Sequence, residues 1–220
     1  MKLDEVLIKN SDPKELPFKT MARPYKAEIR DLKQDKNVEI LGQGVEAVVY
    51  KTKDSPNVIK ALGTHLKDVN EIPFVKYILM SLKYSNENPY FPKVYDIKKY
   101  ETSSGTSFPI IYTFKMEPLV HLDKLSDKEM LVLWNKTFTE HRDIPPSTKS
   151  FSKRLETAYY ASNYGKDVVK EENLSKVLKL ISKARHITNS QTDIHDQNIM
   201  VRRTSQGPQL VITDPLVRYL

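Results

Sequence analysis

Between residues 38 and 62 the chain has room only for a tight β-meander. Val38-Glu39-Ile40-Leu41, Ala47-Val48-Val49-Tyr50-Lys51-Thr52 and Val58-Ile59-Lys60-Ala61-Leu62 are three runs of strand-forming residues. They are separated by short segments that contain Gly42-Gln43-Gly44 and Asp54-Ser55-Pro56-Asn57, both suited to turns. A parallel crossover needs a dozen residues or more, so strands joined this closely must run antiparallel.

A helical period follows. Ile72, Val75, Ile78, Leu79 and Leu82 share one face. Asn70 is placed to cap that helix, Glu71 suits its first turn and Pro73 is tolerated there. Pro89 and Pro92 close the region, and Val94-Tyr95-Asp96-Ile97 and residues 108–114 read as two further strands. After Met116-Glu117-Pro118-Leu119 the pattern changes. Residues 127–139, 151–163 and 171–187 read as helices, and 199–203 and 209–213 as two short strands. Leu131, Trp134 and Phe138 fall at helical spacing and read as core. The expected fold class is α+β with two lobes. It comprises an N-terminal extension (1–37, with a short helix over 25–34), an antiparallel-sheet N-lobe (38–118) and a compact, mainly helical C-lobe (119–220). The link lies near residues 116–122.

Composition narrows the chemistry. The 220 residues include no cysteine, which excludes disulfide frameworks, thiolate zinc sites, iron–sulfur clusters and cysteine nucleophiles. No run approaches the ~18 apolar residues of a membrane span. Asp4 and Glu5 interrupt the N-terminus, so no signal peptide is expected. The net charge is +7, and residues 149–203 hold 11 basic side chains against 6 acidic ones. Lys176, Lys179, Lys183 and Arg185 read as a solvated helix face that can also steer an acidic substrate. Direct nucleic-acid binding is not expected, because no aromatic-interleaved strand or zinc-finger spacing occurs. His65, His121, His141 and His186 have no metal-binding spacing.

Four elements carry chemistry, in a fixed order. Gly42-Gln43-Gly44-Val45-Glu46-Ala47 lies between two strands, where glycine lets a backbone approach phosphates. Lys60 stands among apolar strand residues and is expensive to bury without an anion. It reads either as a phosphate or Glu71 partner, or as a lysine on the exposed face of an edge strand. Asp193-Ile194-His195-Asp196-Gln197-Asn198 puts a carboxylate and an amide oxygen in one tight loop, suiting one base and one hard-cation ligand. In Ile212-Thr213-Asp214-Pro215, Asp214 directly follows an apolar strand. If 199–203 and 209–213 form a symmetric hairpin, Ile199 faces Thr213 and Asn198 faces Asp214. Two oxygen ligands for Mg²⁺ then meet beside Asp193.

This order resembles the protein-kinase fold. Leu41-Gly42-Gln43-Gly44 with Val58-Ile59-Lys60, Pro92-Lys93-Val94-Tyr95-Asp96, and Asp193-Ile194-His195 with Asn198-Ile199-Met200 and Ile212-Thr213-Asp214-Pro215 are similar to the early-gene serine/threonine protein kinases of short-tailed (podovirus-type) bacteriophages. The resemblance covers residues 38–216. It implies ATP and Mg²⁺ as cofactors and a phage enzyme that phosphorylates host proteins, such as the transcription or RNA-processing machinery, in the host cytoplasm. By the resemblance, Gly42 and Gly44 cover the nucleotide, Lys60 holds the α- and β-phosphates and Glu71 is its helix partner. Met116 and Glu117, with Pro118, form the adenine-contacting hinge. Asp193 acts on the acceptor hydroxyl, Asn198 and Asp214 hold Mg²⁺, and His195 is a candidate γ-phosphate contact.

The chain departs from the kinase pattern in several places. Gln191-Thr192-Asp193 replaces the usual His-Arg-Asp, and Asp214-Pro215-Leu216 replaces Asp-Phe-Gly. Ala47 stands at the third loop glycine, and only six residues follow Asp214. Activity is therefore expected without prior phosphorylation, with Ser147, Ser150 and Ser152 as by-product sites. Two alternatives stay open: a small-molecule kinase of the aminoglycoside or choline type, and a non-catalytic kinase-like binding module.

Overall fold

The computed structural model of the chain describes residues 8–16, 18, 21–22, 28–29, 35–84, 87–102, 107–164 and 168–218. It is a mixed α+β structure that divides into two compact units, each built from two stretches of chain. Residues 1–69 and 93–118 form the first, and 70–92 and 119–220 the second.

The first unit is a sheet of six strands: β1 (Lys9–Ser11), β4 (Val38–Gln43), β5 (Ala47–Thr52), β6 (Val58–Thr64), β7 (Val94–Glu101) and β8 (Ile110–Met116). Their spatial order is β1-β7-β8-β6-β5-β4. The expected meander is present as β4-β5-β6, with a bulge between Ile40 and Gly42. β1 instead pairs parallel with β7. β2 (Met21–Ala22) and β3 (Glu28–Ile29) form a separate small ladder.

The described N-terminal residues are part of this fold and not an appendage to it. Phe18, Met21 and Ile29 are buried against Val48, Tyr50, Ala61 and Ile111, covering one face of the sheet. The short helix expected over 25–34 is replaced at Glu28–Ile29 by strand pairing with Met21–Ala22. The remaining residues of that stretch lie outside the described ones. The sheet face is tight at Gly63, where an added Cβ would stand 2.3 Å from the fully buried Phe108 ring.

The second unit contains all four α-helices of the described residues: α1 (Pro73–Leu82), α2 (Asp127–Thr137), α3 (Thr148–Ser162) and α4 (Glu172–Thr188). α1 packs on α4 here, so residues 70–92 are drawn out of the expected 38–118 lobe. Pro73 opens α1 as its position allows, but Asn70 does not cap it. Asn70 Oδ1 accepts from Lys76 Nζ at 2.6 Å instead, and a 3-10 turn over Val69–Glu71 precedes the helix. α2 begins with a reciprocal capping box between Ser126 and Glu129. Trp134 and Phe138 pack on Phe151 of α3, while Leu131 is only partly buried and Leu133 takes the core position. Ser147 caps α3 through Ser150, and Ser152 is buried with its hydroxyl on the Lys149 carbonyl. Of the three serines named above, Ser152 is thus removed as an exposed site.

Three short ladders complete this unit: β9 (Val120–His121) with β11 (Ile199–Thr204), β11 with β12 (Gly207–Ile212), and β10 (Ser190–Thr192) with β13 (Leu216–Arg218). No helix among the described residues is long and apolar enough to cross a membrane.

Gly63→Ala is expected to destabilise the protein by about 1–3 kcal/mol, the usual cost of overpacking a filled core. A denaturant midpoint lowered at constant m-value checks it.

Candidate functional site

In the first unit, β6 lies between β5 and β8, so Lys60 sits on an interior strand opposite Val49 and Phe114. It is 9% exposed, which removes the edge-strand reading. Burying an ammonium this deeply requires an anionic or polar partner. The Gly-rich turn enters this strand's neighbour. Gly44 N–H donates to Ala47 C=O at 2.7 Å, and Gly63 N–H donates to Glu46 C=O at 2.9 Å. Neither Gly42 nor Gly44 has a positive φ, and a Cβ at Gly42 would meet nothing within 4 Å. Turn geometry therefore does not demand glycine at either position.

Met116 ends β8, paired with Val58 and Val94. Glu117 is buried and clasps the Lys93 backbone. Its Oε1 accepts from Lys93 N–H at 2.8 Å, and its own N–H donates to Lys93 C=O at 3.0 Å. The Glu117 N–H is thus already committed within the fold, a structural role not legible in the sequence. Glu71 belongs to the second unit, exposed in the 3-10 turn ahead of α1 and not on the helix.

In the second unit the site is assembled by two ladders. Asn189 adopts the left-handed conformation at the end of α4, which asparagine tolerates better than most residues, and turns the chain into β10. Arg185 Nε holds the Ser190 carbonyl at 3.2 Å. β10 pairs with β13, and the pairing continues one step further, with Asp193 N–H donating to Pro215 C=O at 2.7 Å. On the other side, Thr213 donates to the Asn198 carbonyl through both its N–H (3.1 Å) and its hydroxyl (2.9 Å). Asp214 lies between these two anchor points.

The hairpin register differs from the symmetric expectation by one residue. Ile199 pairs with Ile212, so Thr213 and not Asp214 stands opposite Asn198. The cause is the turn. The strands extend to Thr204 and Gly207, and Gly207 takes a φ of 97° to close the loop. Asp214 falls just past the ladder, half-buried.

The loop itself is cross-braced. Asn198 Nδ2 donates to the Asp193 carbonyl at 2.9 Å and to Asp193 Oδ2 at 2.8 Å. With both amide hydrogens spent there, Asn198 Oδ1 takes no hydrogen bond among the described residues. Gln197 N–H donates to His195 Nδ1 at 3.2 Å. His195 Nε2 lies 3.4 Å from Asp193 Oδ1 and 2.9 Å from Asn198 Nδ2. The Asp193 and His195 side chains are 35% and 42% exposed, within reach of a dissolved ligand. Among the described residues no cluster of three or more His, Cys, Asp or Glu could hold a metal ion by itself.

Two aromatic residues that sequence reasoning missed fix the end of β12. Tyr77 of α1 donates its hydroxyl to the Ile212 carbonyl at 2.8 Å, and Ile212 N–H donates to the Tyr90 carbonyl at 3.0 Å. Burial first, and the charge of Asp214 second, push the Tyr77 phenol well above its ordinary 10.0. Arg202 adds a clamp, donating to the Pro89 and Phe91 carbonyls at 2.8 and 3.0 Å.

Tyr77→Phe is expected to cost about 1–3 kcal/mol, since it leaves a buried carbonyl without its donor. The pH dependence gives a second readout. Below pH 10 folded and unfolded chains both hold the phenolic proton. Above it the unfolded chain releases a proton that the native state keeps, so stability falls as pH rises. Tyr77→Phe should reduce that alkaline fall by about 1.4 kcal/mol in total between pH 9 and 11. Urea titrations between pH 9 and 11 check both; an unchanged slope would place the phenol in solvent.

Neither the family models nor the curated proteins contain a match to this chain.

Proposed function

We propose that the chain is an ATP- and Mg²⁺-dependent phosphotransferase with a two-lobed, protein-kinase-like fold, acting on serine or threonine hydroxyls of host proteins. The observation that carries this reading is the brace between Asn198 and Asp193. The amide nitrogen is spent on the Asp193 carbonyl and carboxylate, which leaves the amide oxygen for a cation beside an exposed carboxylate. A loop stabilised only as a polar turn has no need to hold a carboxylate at a fixed angle in solvent.

The donor set fits a hard cation. Mg²⁺ takes one or two protein oxygens and completes its shell with water and phosphate, so Asn198 Oδ1 and an Asp214 carboxylate suffice. When bound, Mg²⁺ would offset charge on the phosphate oxygens. Asp193 orients the acceptor hydroxyl or takes its proton, and His195 keeps Asp193 in place or meets the γ-phosphate. In the first unit, Lys60 supplies the buried positive charge for the α- and β-phosphates, while Gly42 and Gly44 keep the turn open to them. The commitment of the Glu117 N–H to Lys93 limits the hinge contact to other backbone groups of residues 116–118.

Incubation with γ-labelled ATP and Mg²⁺, with and without host lysate, tests the reading. Label in protein bands supports it. Label in a small metabolite moves the acceptor to the aminoglycoside or choline class, and no turnover makes the chain a binding module. Lys60→Ala and Asp214→Asn should each lower the transfer rate on the order of 10²–10³-fold, the cost of losing a charge contact made in the transition state. Gly42→Ala should weaken nucleotide binding while leaving stability within about 0.5 kcal/mol, as for a substitution into open space. Transfer at the wild-type rate in a folded Lys60→Ala protein would remove that residue from the site.

A further inference from the structure

The second unit carries a groove that the proposed phosphotransfer site does not use. It has a volume of about 480 Å³ and runs where the end of α3 meets the outer face of α4. Ser162 and Asn163 border it from α3, and Lys179, Ser182, Lys183 and His186 from α4. Ile187, 44% exposed, contributes an apolar patch. Among the described residues, no acidic side chain lines it.

Ion pairs among the described residues do not account for the charges here. Lys176, one turn earlier, is ion-paired with Glu172 at 2.9 Å. Glu172 also feels Lys179, but Lys179 and Lys183 have no carboxylate within ion-pairing distance among the described residues. Both lysines and His186 are exposed. Positions 179, 183 and 186 recur at helical spacing and share one face, spanning about 10 Å along the axis. Three side chains on so short a line can meet only a few phosphates. The charge-driven part of nucleic-acid binding scales with the number of phosphates neutralised, so a line this short supplies little of it. An extended peptide covers about 10 Å with three or four residues, so two or three carboxylates match the line one for one.

We propose that this groove docks a short acidic segment of a protein substrate, which names the substrate class for the phosphotransferase reading on which it rests. Docking on α4 brings an acceptor chain to the unit that holds Asp193. The residues that select the substrate are then separate from those that act on the hydroxyl. Specificity appears in KM and not in kcat, because the contact is the same in the ground state and the transition state.

The test uses the full chain and a fluorescent eight-residue peptide alternating Glu and Ser, followed by anisotropy at low and physiological salt. Lys179→Glu/Lys183→Glu should weaken binding at least tenfold. Lys128→Glu/Lys149→Glu, with the same change in net charge on exposed helix positions outside the groove, should leave it within twofold. In transfer assays the groove variant should raise KM for a substrate carrying the acidic segment, with kcat and autophosphorylation unchanged. Equal loss in both variants would mean that net charge alone attracts the peptide and would overturn the proposal. So would a twelve-residue oligouridine that binds through the groove when the peptide does not. Groove-dependent peptide binding without any phosphoryl transfer upholds the docking site and rejects the kinase reading instead.

Discussion

The backbone of Ile212 is the point on which the second unit's geometry depends. Its N–H reaches the Tyr90 carbonyl and its carbonyl receives the Tyr77 hydroxyl, so the end of β12 is held from two directions. The edge strand of so small a sheet is normally free to fray. Here that freedom is removed at Ile212, two residues before Asp214. Thr213 then ties to Asn198, Asp193 ties to Pro215, and Asn198 ties back to Asp193. Each bond alone contributes about 1 kcal/mol. Their closure into a ring is what fixes three polar side chains without burying them.

The same logic separates the two halves of the candidate chemistry. Lys60 is positioned by burial, on a strand with a neighbour on either side, while Asp193 and His195 are positioned by hydrogen bonds and stay wet. A charge fixed by burial needs little reorganisation to act. A solvent-facing carboxylate needs a brace, and the Asn198 amide supplies it.

Much of this architecture was legible from local pattern. The meander over 38–62 and the later helices follow from period and turn chemistry, and the Asp193–Asn198 loop stands out because it opens on a carboxylate and closes on an amide within six residues. What escaped depended on distance along the chain or on a single dihedral. Phe18, Met21 and Ile29 show no regular spacing, so nothing local marks them as the cover of a sheet face. One residue of hairpin register turned on Gly207 adopting positive φ, which composition allows but does not demand. Asparagine favours a cap position, but Lys76 offers the Asn70 side chain a different partner. Tyr77 and Glu117 carried no polar signal at all, since their partners are backbone groups remote in sequence.

The division of the chain into interleaved stretches has a consequence for how the protein is made. The first unit is built from residues 1–69 and 93–118, and the second from 70–92 and 119–220. On a ribosome adding roughly 5–20 residues per second, domains tend to fold as they emerge. Here the sheet must wait for β7 and β8, which arrive only after the segment carrying α1 has passed. That segment, with most of its apolar side chains destined for burial, must wait longer still, until α4 and β13 are made. Neither unit exists as a continuous piece of sequence, so no single cut yields an autonomous half. Between these two arrivals α1 is an orphan amphipathic helix, and that interval is when the nascent chain is most exposed to aggregation or to a chaperone.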